Sequence, residues 1–87
     1  MLYEAKQTYY KDGELDGKFT AYYRNGQISE EGNFKDGFKY GKWTYYYENG
    51  QIDWEGNYKE GMQYGKWTYY NTNGDIIERK EFEDWDW

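Results

Sequence analysis

Gly41 to Gly61 reads GKWTYYYENGQIDWEGNYKEG. Most of the string recurs 24 residues earlier as GKFTAYYRNGQISEEGNFKDG over Gly17 to Gly37, and again from Gly65 as GKWTYYNTNGDIIERKEFED. Three copies in one register mean one supersecondary unit stacked on itself, each copy burying a face that it cannot bury alone. The period divides the chain into an N-terminal half repeat at 1–16, repeats at 17–40 and 41–64, and a third repeat with a C-terminal cap at 65–87.

Within a copy, the β-prone run Lys18 to Arg24 meets Asn25-Gly26, and Asn49-Gly50 and Asn73-Gly74 repeat that pair. Both residue types tolerate positive φ, so Asn-Gly reads as a two-residue type I′ hairpin turn. On that register Tyr47 faces Ile52, Tyr45 faces Trp54 and Trp43 faces Gly56, while the first copy sets Tyr23 against Ile28 and Phe19 against Gly32. Gly26, Gly50 and Gly74 are then turn residues. Gly32 and Gly56 leave bare backbone for the ring opposite to cover, which offsets the cost of glycine in a strand. Asp36 to Tyr40 and Glu60 to Tyr64, with the related Asp12 to Asp16, read as longer links, and Leu2 to Lys11 as an N-terminal strand. The expected fold is all-β: a single-layer antiparallel meander of hairpins.

Alternation then sorts side chains by face. One face carries Phe19, Tyr23, Ile28, Phe34, Trp43, Tyr45, Tyr47, Ile52, Trp54, Tyr58, Trp67, Tyr69, Ile76 and Phe82. The other carries Lys18, Thr20, Glu31, Lys42, Thr44, Glu55, Lys66 and Thr68 with a ladder of Tyr22, Tyr46 and Tyr70. In the third copy Lys80 stands where Gly56 stood and Glu78 where Trp54 stood, and the tail turns acidic, as a capping repeat with a polar outer face would. Trp85 and Trp87 either fold back on the last strand or form a hook for a partner.

Composition bounds the function. Of 87 residues a quarter are aromatic and a third charged, with a net charge of −6 and neither Cys nor His. Mean hydropathy is −1.43, yet disordered chains are poor in aromatics, so the pattern is that of a folded domain. With no thiolate or imidazole, and no acid, base and nucleophile converging on one face, no enzyme, metal site or cofactor is expected. The glycines sit at hairpin spacing with no helix after them, so none forms a phosphate loop. One acid at each of Asp12, Asp36 and Glu60 is too few ligands for calcium, and turn chemistry accounts for them. Excess negative charge disfavours nucleic acid and anionic membranes and favours a basic partner. The charged N-terminus lacks a secretory pattern and a cytoplasmic setting is the expectation.

The units from Gly41 to Ile52 and from Glu55 to Gly61, with their G-K-W-x-x-Y-Y, N-G-Q-I and N-Y-x-x-G elements, resemble MORN repeats of the second variant over about Tyr9 to Phe82. That form is similar to the repeat strung together in bacterial antitoxins of the YwqK type, and the resemblance implies a hairpin solenoid in a toxin-neutralising protein. Ala21 and Phe19 in the first copy, and the altered third copy, depart from the pattern. The physical motive for a partner is separate: a sheet with about a dozen rings and aliphatics on one face exceeds the few hundred Å² that monomers leave exposed. Trp43, Tyr45, Tyr47, Trp54, Trp67 and Tyr69 are the expected contacts for a basic protein, such as a toxin. The alternative is a structural scaffold whose face is covered by self-association into a homo-oligomer.

Overall fold

Two kinds of reversal build the chain, and they exchange the roles that local composition suggests. In the computed structural model, which describes residues 2–7, 10–11 and 13–82 and side chains from residue 13, Asp36 and Gly37 have φ of 53° and 87°, and Glu60 and Gly61 have 53° and 82°. Two consecutive positive φ values closing the pairs Lys35–Phe38 and Lys59–Met62 are the type I′ turn. So the stretches that read as longer links are the tight turns. At the Asn-Gly sites only the glycines, Gly26, Gly50 and Gly74, have positive φ, at 93°, 91° and 92°. Gly26 N–H donates to the Tyr23 carbonyl at 3.0 Å and Tyr23 N–H to the Gln27 carbonyl at 2.7 Å. This is a three-residue loop, a type I turn closed by a left-handed glycine.

The strands follow: β1 Leu2–Gln7, β2 Tyr10–Lys11, β3 Glu14–Leu15, β4 Gly17–Tyr23, β5 Ile28–Lys35, β6 Phe38–Tyr46, β7 Ile52–Lys59, β8 Met62–Tyr70 and β9 Ile76–Phe82. Seven form one antiparallel sheet in the order β1-β4-β5-β6-β7-β8-β9, and β2 pairs only with β3. The expected N-terminal strand is therefore split, its first part flanking β4 and its end forming a small hairpin. Extents of 39 × 32 × 14 Å confirm a single layer. Trp85 and Trp87 lie outside the described residues.

An odd loop would shift each hairpin by one residue, and a bulge in the next strand shifts it back. Phe19–Gly32, Tyr45–Trp54 and Trp43–Gly56 pair as expected, but nearer the loop Tyr22 meets Ile28, Tyr46 meets Ile52 and Tyr70 meets Ile76. The expected Tyr23–Ile28 and Tyr47–Ile52 pairs do not form. Because one residue of slip turns a side chain to the opposite face, the three isoleucines leave the aromatic side and join the tyrosine ladder.

A second bulge sets the core. Opposite the single residue Gly32, between the pairs Glu31–Thr44 and Asn33–Tyr40, β6 carries Gly41, Lys42 and Trp43; β8 repeats this opposite Gly56. Gly41 and Gly65, at φ 74° and 72°, make the bend, a conformation that a side chain would strain. Each tryptophan thereby leans back over the strand before it. A Cβ on Gly32 would lie 2.1 Å from the nearest Trp43 ring atom, and one on Gly56 2.2 Å from that of Trp67. This corrects the expectation that Trp43 covers Gly56: their Cα atoms pair, but the indole turns the other way. Trp43 Nε1 donates to the Asn33 carbonyl at 2.9 Å and Trp67 Nε1 to that of Asn57 at 3.1 Å, so both buried donors are satisfied.

Repeats are also tied at their rims. Gly37 N–H donates to the Leu15 carbonyl and Gly61 N–H to that of Lys39. At the other rim Asn25 Nδ2 reaches the Glu48 carbonyl and Asn49 Nδ2 that of Thr72, both at 2.9 Å. Tyr23 and Tyr47 hydroxyls donate to the carbonyls of Tyr46 and Tyr70 at 2.5 and 2.6 Å.

Candidate binding face

The register lays Glu30, Tyr45, Trp54, Tyr69 and Glu78 in one row across β5 to β9. Tyr45 stacks on Trp54 with centroids 4.0 Å apart, and Trp54 on Trp67 at 4.6 Å. Beside it runs a line of edge-to-face and tilted contacts from Phe19 and Phe34 through Trp43 to Tyr58, Trp67 and Phe82, at 5.2 to 6.2 Å. Such pairs add about 0.5 to 1.5 kcal/mol each beyond their burial. The rings of the expected binding set are thus gathered on one side, but in two tiers.

Trp43 and Trp67 are 0% and 1% exposed. They form the floor and present nothing to a partner, contrary to their expected role as direct contacts. Tyr45, Trp54 and Tyr69 are half-buried and form the accessible tier. Tyr47 is occupied by its bond to the next repeat. Among the glycines, Gly32 and Gly56 are buried under the indoles, while Gly26, Gly50 and Gly74 are loop residues at the far rim.

Sequence reasoning missed two members of this face, Lys39 and Glu30. Lys39 pairs with Phe34 and Glu30 with Tyr45, which puts both among the rings. Lys39 Nζ sits 4.6 Å from the Trp43 ring centroid, 4.9 Å from that of Tyr58 and 5.5 Å from that of Tyr45, and donates to the Tyr45 hydroxyl at 3.1 Å. Three electron-rich rings around one ammonium form a cation–π cage. Burial pulls the Lys39 pKa below its ordinary value and the Glu30 charge opposes it. Burial, then the charge and hydrogen bond of Glu30, hold the Tyr45 hydroxyl protonated well above the usual tyrosine range. Alternation continued two residues back from Gly41 would have found Lys39; treating 36–40 as a link concealed it.

The opposite face is closed upon itself. Tyr46 donates to Glu31 Oε2 at 2.5 Å and Tyr70 to Glu55 Oε2 at 2.6 Å, while Lys42 Nζ lies 3.3 Å from Glu55 Oε1. Burial and the Glu31 bond push Tyr46 up to about 12, and the Tyr70 bond, against burial, holds Glu55 below its ordinary value. These are cross-strand ties of a sheet rather than a platform for bases. Among the described residues no group of three or more Asp, Glu, His or Cys is placed to hold a metal ion.

The profile described as the MORN repeat variant matches the chain three times, at residues 15–36, 39–60 and 63–84. The junctions between matches fall in the type I′ turns. No curated protein matches the chain.

Proposed function

Because the chain belongs to the MORN repeat variant family, whose repeats are generally protein- or membrane-binding modules without enzymatic activity, we propose that it is a protein-binding module holding an extended, basic segment of another polypeptide. One observation carries this reading: the accessible strip Tyr45–Trp54–Tyr69 lies directly beside a cage in which the protein already holds an ammonium group, that of Lys39. A face that holds its own cation against three rings, in a chain of net charge −6, is chemically suited to a cationic guest. The same charge opposes docking on an anionic membrane. In the toxin-neutralising form that the resemblance implies, the guest is a basic toxin and the module acts by masking it in the cytoplasm.

The test is loss of a specific partner. Wild-type protein and a Trp54→Ala, Tyr69→Ala variant are used to capture partners from native cells, and the captured protein is purified and titrated against both. Buried aromatic anchors typically contribute at least about 2 kcal/mol, so affinity is expected to fall roughly thirtyfold or more in the variant. Equal binding by both proteins would refute the reading. For the toxin form, co-expression with the captured protein should restore growth, and failure to do so would remove that specialisation.

Self-association is the second reading, and the edge strand β9 favours it. Ile76 and Ile77 are 47% and 63% exposed there, and among the described residues β9 ends the sheet, an edge of the kind that invites another strand. Sedimentation separates the two: a tight dimer at low micromolar concentration supports self-covering, and a monomer leaves the strip for another polypeptide.

A further inference from the structure

The repeat allows one half of the face to be compared with the other. A shift of 24 residues carries Lys39 to Gln63, Trp43 to Trp67, Tyr45 to Tyr69 and Tyr58 to Phe82. The rings are kept and the cation is not. Phe82 lies 5.7 Å from Trp67, and Gln63 pairs with Tyr58 on the same face. Beside Tyr69, at the position equivalent to Trp54, stands the carboxylate of Glu78, and its side chain is 54% exposed. The cation here comes instead from the next strand. Lys80 Nζ is 5.6 Å from the Tyr69 ring centroid and 3.9 Å from Glu78 Oε2, with its side chain 52% exposed.

We propose that Tyr69 and Glu78 form a subsite for an arginine side chain of the partner, and that Lys80 is a placeholder which the arginine displaces. The inference rests on the protein-binding reading of this face and names the group that the face selects. Lys39 and Lys80 differ in how firmly they are held. Lys39 has three rings and a hydrogen bond to Tyr45 around it. Among the described residues Lys80 has one ring at long range and one ion pair near the distance limit, both open to water, and such a pair biases its own geometry by about fivefold at most. Displacement is therefore cheap. A guanidinium gains what an ammonium does not: its plane stacks on the Tyr69 ring while its fork meets both oxygens of Glu78. Strands are spaced by about 4.8 Å, and a segment in the polyproline II conformation advances about 3.1 Å per residue and presents every third side chain to the same side, so such a segment crossing the strands from Tyr69 past Trp54 places its third residue from the arginine near Tyr45. An arginine followed three residues on by an apolar side chain fits the strip.

The probes are three acetylated hexapeptides, identical except for arginine, lysine or citrulline three positions before a leucine, titrated by amide and indole chemical shifts. Citrulline keeps the shape of arginine without its charge. The arginine peptide is expected to shift Tyr69, Glu78 and the Trp54 indole, with the lysine peptide about threefold weaker and the citrulline peptide about tenfold weaker. Lys80→Ala should tighten the arginine peptide two- to fivefold, and Glu78→Gln should erase the preference for arginine over citrulline. Both residues are half exposed on the edge strand, and melting curves check that the fold is kept. Equal binding of arginine and citrulline peptides on Trp54, or an arginine preference that survives Glu78→Gln but is lost in Glu30→Gln, would overturn the subsite while leaving the binding face in place. Failure of every peptide to perturb Tyr45, Trp54 or Tyr69 would remove both.

Discussion

Gly56→Ala should be among the most damaging single-methyl changes that this protein can carry. The added Cβ would lie 2.2 Å from the nearest Trp67 ring atom, far inside the 3.4 Å at which ordinary contact begins, and Trp67 is 1% exposed with its indole N–H bonded to the Asn57 carbonyl. Either the indole leaves or the bulge opposite Gly56 reopens. Full expulsion exposes about 150 to 250 Å², an upper bound of about 4 to 6 kcal/mol at 25 cal/mol per Å². Partial tilting costs about 1 to 3 kcal/mol, as overpacking does elsewhere. A loss near 3 kcal/mol is therefore expected, out of roughly 4 to 13 kcal/mol for a domain of this length, and the melting temperature should fall by about 12 to 24 °C. Thermal and urea unfolding of Gly56→Ala, followed by circular dichroism and tryptophan fluorescence, measure it. Double-mutant cycles identify the ring: the penalty should shrink in a Trp67→Leu background and persist in Trp43→Leu. A loss under about 1 kcal/mol, or coupling to Trp43 instead, would refute the packing described for the bulge.

Three further outcomes follow from the same contacts. Asn49→Ala removes both the bond to the Thr72 carbonyl and the bond accepted from Gln51 N–H, and should cost about 1 to 2 kcal/mol in urea unfolding. Gly50→Ala, at φ 91°, should cost about 1 kcal/mol, whereas Asn49 does not need positive φ; a type I′ turn would make both positions strain-sensitive. Stability should fall as pH rises above about 10. Tyr46 is raised to about 12, and Tyr23, Tyr45, Tyr58 and Tyr70 are raised too, so between the unfolded and folded values the native state binds more protons and loses stability with each step upward. Lys39, lowered by burial, acts in the opposite direction, but between its lowered value and the ordinary lysine value of about 10.4, so its effect is spent before most of the tyrosine loss begins. Tyrosinate absorbance rising together with loss of the circular dichroism signal checks this; tyrosines ionising at their ordinary value in a folded protein would contradict it.

Repetition and alternation are local properties of the chain, and they sufficed for the sheet, its order, the deep register from Phe19–Gly32 to Tyr45–Trp54, and the gathering of rings on one side. They also placed Gly32 and Gly56 as sites of close approach, because a glycine in a strand always asks what covers it. Turn type was legible only as a reversal. Asn-Gly suits a type I′ turn, yet here Asn25 and Asn49 spend their side-chain amides on the neighbouring repeat, and the tight turns fall to Asp36-Gly37 and Glu60-Gly61. That choice depends on partners 23 residues away, which no window of a few residues contains. The direction in which an indole leans, the burial of Trp43 and Trp67, and the meeting of Lys39 with three rings were settled by the bulges at Gly41 and Gly65, where one strand carries three residues against its neighbour's one. Pairing and patterning arise from the alternation of a single strand, whereas depth and orientation arise from how adjacent strands accommodate their mismatch. The first is written along the chain; the second exists only once the repeats are stacked.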